Sequence, residues 1–380
     1  MLFSLLIISL NQEKTYMIVL PSVMGLFPSM VLGALMCSMI GGGKFLIEKI
    51  NLTFRLFSSI LICLGIFILG LAAQVFFKNS IYAIMLCSIL GLAMGYTFAD
   101  WHVLLYRSIY SNKLIIITSL IFVIGYFCAV ALYGLLFSIL EIWQTYTASM
   151  VICFILALLL VAVTYIDGLV NQANSNVLTT VINDFFSVQL KLLFLIFAVS
   201  QVIILAVLIE FCVQKNIYGK QWASDLTNSG ASWLAIISIL FYLLVGVYLL
   251  NKFNKKYLFF FAQVVVVVTI CLFLVNMLLM SQYSILLYMC VFFAYGGAIL
   301  MSIVFNLYVI TFFKSGVIGI FVPITTAIFL FFITLYQSVA PVLVTMSISN
   351  GGLSLGVILI GLLFFVTLVL NRLCSIAVRS

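Results

Sequence analysis

Apolar stretches of about twenty residues recur almost without a break along this chain, and no other feature narrows its folding options as much. The hydrocarbon core of a bilayer is about 30 Å thick, a distance that a helix covers in about 20 apolar residues. Eleven segments are long enough: Met17–Ile40, Arg55–Phe77, Ile81–Tyr106, Leu114–Leu140, Thr145–Ile166, Leu190–Cys212, Ala231–Asn251, Tyr257–Met280, Tyr283–Phe313, Gly316–Val344 and Gly352–Cys374. Lipid offers no water to satisfy backbone N–H and C=O groups, so each segment must satisfy its own as an α-helix. Composition points the same way. Charged residues make up 6% of the chain, against about a quarter in soluble domains. The chain reads as an all-α, polytopic membrane protein.

Met1–Leu10 (MLFSLLIISL) is apolar but too short to span, since ten residues of helix rise about 15 Å. It has no basic leader and no small-residue cleavage site, which argues against a signal peptide. Two readings stay open: a first transmembrane helix lacking its beginning, or a short interfacial segment.

Basic residues orient the chain, because cytoplasmic loops carry the excess of Lys and Arg. With residues 41–54 placed inside, Lys44, Lys49, Arg55, Arg107, Lys113, Lys191, Lys252, Lys255, Lys256, Lys314, Arg372 and Arg379 all fall inside, and only Lys14, Lys78, Lys215 and Lys220 fall outside. The C-terminus is then cytoplasmic. The net charge of +8 is spread over loops that face an anionic leaflet, so it is no sign of nucleic-acid binding. The nine cysteines are scattered singly and His102 is the only histidine, which leaves neither a disulfide framework nor a metal-ligand cluster.

Residues 167–189 interrupt the apolar run. After an Asn-rich stretch, Val177, Leu178, Val181, Ile182, Phe185 and Val188 recur at helical spacing, as in a helix lying in the membrane interface. The expected organisation is a transmembrane bundle over 1–166, a cytoplasmic linker over 167–189 and a second bundle over 190–380. The two halves share a weak repeat, with Tyr82–Gly95 aligning on Tyr283–Gly296 at a constant offset. A basic turn after Gly41–Gly43 has a counterpart after Gly246. Two related halves around a midplane site is a recurrent transporter plan.

From Met17 to Cys374 the chain resembles the major facilitator superfamily, counting Met1–Leu10 as the remnant of helix one. The likeness rests on the six-plus-six plan, the cytoplasmic linker, the basic loops after helices two and eight, and a Gly-rich helix four carrying Gly91 and Gly95. The loop after helix two carries Gly41, Gly42, Gly43, Lys44, Glu48 and Lys49, but not the family's usual Asp. Cys87 stands where the family often has an Arg, and no proline lies between Pro28 and Pro323, where many exporters carry a Gly-Pro pair. These departures weigh against proton-driven drug antiport.

The resemblance implies that helices one, four, seven and ten line a central cavity, and that Lys44, Glu48 and Lys49 serve gating or ion pairing. Ionisable groups within a membrane are costly and default to functional candidates. Asp100 is the foremost, aligned with Tyr96 and Arg107 near one face of helix four. Nineteen rises from Ile81, about 28 Å, would alternatively put it at the cytoplasmic interface. Ser200 and Gln201 on helix seven, Ser302 and Asn306 on helix ten, and Tyr336 and Gln337 on helix eleven are neutral polar groups at mid-depth, either solute ligands or interhelical glue. Glu210 and Glu141 read as rim charges, Asn276 as packing, and the Gly91/Gly95 and Gly352/Gly356 pairs as close helix contacts.

The expected function is secondary transport of a small solute by alternating access, with proton coupling left open. No catalytic residue, cofactor or metal is expected, and the protein is read as a monomer. The alternatives are a lipid-linked saccharide flippase, which would line its cavity with basic side chains, and a membrane-embedded glycan polymerase or acyltransferase, which would need a large external loop or charged catalytic groups. A bacterial inner membrane is the expected location.

Overall fold

The computed structural model describes residues 25–42, 65, 80–108, 185–219, 224–252, 255–278, 284–312, 318–349 and 353–377. Among these residues there are eight long helices and no strands: α1 (Phe27–Gly42), α2 (Ser80–Ser108), α3 (Phe185–Gly219), α4 (Ser224–Lys252), α5 (Lys255–Leu278), α6 (Ser284–Phe312), α7 (Ile318–Ser349) and α8 (Leu353–Ala377). Each coincides with an apolar segment of the sequence. Five of them contain apolar windows long enough to cross a membrane: Val188–Ile209, Lys255–Met277, Ile285–Val309, Gly319–Tyr336 and Val357–Ser375. The expected spans at Arg55–Phe77 (apart from Gly65), Leu114–Leu140 and Thr145–Ile166, the Met1–Leu10 segment, and the interfacial helix before Phe185 lie outside the described residues. Phe185 and Val188, placed by sequence in that interfacial helix, belong to the first turn of α3.

The chain divides into two compact units, Met1–Val181 with Phe313–Thr334, and Ile182–Phe312 with Leu335–Ser380. The division at 181/182 falls within the stretch that the sequence sets aside as a linker. Phe313–Thr334 groups with the first unit although it lies within 190–380. One tie that holds it there is the Ser38 hydroxyl of α1, which donates to the Ile320 carbonyl at 3.0 Å.

In the first unit, α1 and α2 meet backbone to backbone through glycine. A Cβ on Gly33 would fall on the Leu92 carbonyl, one on Gly91 on the Leu26 carbonyl, and one on Gly95 on the backbone of Met30. Small residues permit such close approach where lipid supplies no hydrophobic drive between helices. The contact buries Leu26, Met30, Ala34, Leu90, Met94 and Ala99.

In the second unit α6 is central, packed against α3, α4 and α5, while α8 lies against α3 and α5. Gly296 of α6 sits under the ring of Tyr242 on α4. Gly95 and Gly296, equivalent in the sequence alignment, lie against α1 and α4 respectively, the first against backbone and the second against a side chain. At one end of this unit Phe194 packs its ring against Tyr308 at 4.7 Å, Phe312 at 5.6 Å and Phe259 at 5.9 Å, locking α3, α5 and α6 together.

Candidate functional site

Among the described residues, each unit buries a polar cluster. In the first, Asp100 on α2 is 1% exposed. The buried thiol of Cys37 on α1 donates to its Oδ1 at 3.8 Å. The next residue, Ser38, makes the bond to Ile320, so adjacent residues in the last turns of α1 tie it to α2 and to the start of α7. Asp100 is thus enclosed by protein, unlike a side chain solvated at a helix end. Two turns of α2 follow it, ending at Ser108. Tyr96, one turn earlier, is half-buried. Arg107 lies in the last turn of α2, but its side chain is not among those described, and Lys44, Glu48 and Lys49 lie outside the described residues.

The second cluster joins three helices by a directed chain of hydrogen bonds. Gln263 Nε2 on α5 donates to Gln201 Oε1 on α3 at 3.2 Å. Gln201 Nε2 donates to Thr367 Oγ1 on α8 at 2.7 Å, and Thr367 donates to the Leu363 carbonyl of its own helix at 2.7 Å. Gln263 Nε2 also approaches Met301 Sδ on α6 at 3.5 Å. Gln201 is fully buried and Gln263 is 5% exposed. Gln263 Oε1 is buried without a hydrogen-bond partner. An unsatisfied buried acceptor costs about 1–3 kcal/mol, so this oxygen is the one strained polar atom of the cluster.

Of the residues expected to bind solute, Gln201 is the one that these bonds connect to polar side chains on other helices. Ser200 donates to the Phe197 carbonyl and Ser302 to the Ala298 carbonyl, each at 2.8 Å, so both hydroxyls turn back on their own helices. Asn306, one turn after Ser302, and Tyr336 on α7 are half-buried, while Gln337 lies in α7 with its side chain outside the described set. Asn276 is buried, as a packing role requires. The partners missed by sequence reasoning are Cys37, Gln263 and Thr367. Gln263 carried a usable signal, a lone amide in the run Phe259–Val268.

No protein-family model matches the chain, and no characterised protein matches it by sequence. Solved structures do match in fold. A bacterial homologue of the iron transporter ferroportin, in an outward-facing state, aligns over 98% of this chain and 93% of its own with a TM-score of 0.66 at 15% identity. The same homologue soaked with iron gives 0.64 at 12% identity over the same shares. The Major Facilitator Superfamily transporter FucP, in the outward conformation, gives 0.58 at 13% identity, covering 98% of this chain and 94% of that one. This chain has the major facilitator fold. It is an integral, multi-pass membrane protein.

Proposed function

We propose that this protein is a secondary transporter that moves a small solute across the membrane by alternating access of its two bundles. The observation that carries the proposal is the likeness in fold to transporters along 98% of the chain. The two buried polar clusters support it, since polar groups enclosed in a membrane bundle are costly unless they have a task. In this reading Asp100 is the coupling or solute-binding carboxyl group and Tyr96 its neighbour. Ser200, Gln201, Ser302, Asn306, Tyr336 and Gln337 supply neutral polar groups, and Arg107 with Lys44, Glu48 and Lys49 controls the gate. Such a neutral set suits an uncharged or zwitterionic solute. The iron named for one neighbour is not carried over, because among the described residues no three His, Cys, Asp or Glu side chains converge.

Flippase chemistry receives less support. The described basic residues Lys191, Lys252, Lys255, Lys256 and Arg372 stand within two turns of a helix end and not at mid-span. The test is reconstitution. Purified protein is screened for thermal stabilisation by sugars, amino acids and metal ions, and hits are then assayed for uptake into liposomes with and without a pH gradient. A ligand specific to the folded state raises the melting midpoint by mass action. Uptake of a stabilising solute supports the proposal, whereas stabilisation with no flux in either direction under any gradient overturns it.

A further inference from the structure

A groove of about 620 Å³ opens on the second unit between the start of α5 and the end of α8, lined by Lys256, Tyr257, Phe259, Phe260, Asn371, Cys374 and Ser375. It neighbours the Gln201 cluster, with Phe260 about one turn before Gln263 on α5 and Asn371 one turn after Thr367 on α8, but shares no residue with it and takes no part in the function proposed above. We propose that this groove seats one anionic phospholipid, its phosphodiester at Lys256 and Asn371 and its acyl chains on α5 and α8.

The mouth of the groove is cationic. Lys255 and Lys256 open α5, where the exposed N–H groups of a helix N-terminus add further positive potential. Lys252 and Lys255 are already engaged, the first with Tyr248 at 2.9 Å and the second with Thr311 at 3.1 Å. Lys256 is exposed and lines the groove, which makes it the ammonium offered to a ligand. The described acidic residues of this unit, Glu210 and Asp225, stand toward the opposite ends of their helices. Nothing anionic among the described residues competes with a phosphate here.

The body of the groove is apolar and rigid. Phe259 belongs to the aromatic cluster around Phe194, and Cys374 is held by the Tyr308 hydroxyl at 3.4 Å. Tyr257 and Phe260 are 60% and 68% exposed at its wall. From there Val264 and Val267 continue one exposed stripe down α5, and Leu368 and Phe364 continue another along α8. A charged head with two apolar tracks leading away from it matches an amphipathic lipid. A soluble phosphate ester would leave those tracks unused. Basic pockets between transmembrane helices recognise anionic head groups in this way, and a Tyr at the interface anchors the level.

Native mass spectrometry of the full chain in detergent tests this, with phosphatidylglycerol and phosphatidylcholine of matched chains as the probes. The wild type should retain phosphatidylglycerol preferentially. The pair Lys256→Gln and Asn371→Leu should weaken that retention roughly five- to tenfold, leaving phosphatidylcholine and the melting midpoint unchanged. Lys191→Gln, outside the groove, should behave as wild type. Equal retention of both lipids, or a groove variant that holds phosphatidylglycerol as well as wild type, overturns the proposal. Displacement by sn-glycerol 3-phosphate at equal concentration overturns it too, in favour of a simple phosphate site. If the double variant does not fold, alkylation of Cys374 in the wild type decides: it should be slower in phosphatidylglycerol nanodiscs than in phosphatidylcholine ones, and equal rates refute the lipid.

Discussion

Gln263 donates its amide to Gln201 Oε1 at 3.2 Å while its own carbonyl oxygen, in the same buried space, accepts nothing. Turning the Gln263 amide over would not relieve this, because it would set two carbonyl oxygens face to face. The relation between the two residues is therefore unequal. Gln201 uses its oxygen and its nitrogen, and Gln263 only its nitrogen.

Stability should reflect that inequality. Gln201→Leu leaves Gln263 without its oxygen acceptor and Thr367 without a donor, and should cost about 1–3 kcal/mol. Gln263→Leu also removes the orphan oxygen, so its cost should be smaller, and the double substitution should cost less than the sum of the singles. Chemical unfolding of the four proteins in micelles measures all three. Strict additivity would mean that the two amides are not coupled.

The glycine contacts separate two kinds of close approach. Gly95→Ala drives a methyl group into the Met30 backbone, which cannot turn aside, so folded yield should fall sharply. Gly296→Ala first meets the ring of Tyr242, a buried side chain that has to shift against its aromatic neighbours but is not backbone, and should be milder. Gly361→Ala meets nothing within 4 Å and should fold as wild type or slightly better, since Ala is the better helix former. Size-exclusion profiles of the three variants check the order. Equal tolerance at 95 and 361 would remove the backbone contact from the account of this fold.

The described helices were legible because a bilayer sets a minimum apolar length for each crossing, and Gly91 and Gly95 announced a close contact by their spacing. The Gln201 cluster was only half legible. The resemblance directed attention to cavity-lining helices, and Gln263 sits on helix nine of that plan, regarded as peripheral. Thr367 gave no signal, since a threonine in a helix can satisfy itself on the carbonyl four residues back, and this one does so while also accepting from Gln201. Asp100 was ambiguous for a geometric reason. Counting rises from Ile81 gives its depth, but only packing shows that α1 covers it.

Orientation remains a prediction from charge. Reporter fusions after Asn251 and Ser380 should read as cytoplasmic and one at Lys220 as external. The structure adds a reason to expect the first two to agree: the start of α5 and the end of α8 line one groove, so those ends lie on the same side of the second unit. An external reading at Ser380 would break the six-plus-six plan.

Asp100 offers the sharpest test of transport. Its carboxyl group is enclosed, with the Cys37 thiol as one donor, so Asp100→Asn keeps shape and hydrogen-bonding capacity while removing the charge. If the carboxyl group binds solute or a proton, this variant should lose most uptake of the solute found by thermal screening, with expression and melting nearly unchanged. A charge-assisted hydrogen bond is worth roughly 1.5–3 kcal/mol, about ten- to a hundredfold in affinity. Cys37→Ala removes only a weak donor and should cost a few-fold at most. Glu210→Gln should do less than Asp100→Asn, since Glu210 lies beyond the apolar window Val188–Ile209 of α3. Wild-type uptake by Asp100→Asn across the pH range would show that the buried carboxyl group serves packing alone. The neutral set around Gln201 and Asn306 would then become the leading candidate for the solute site.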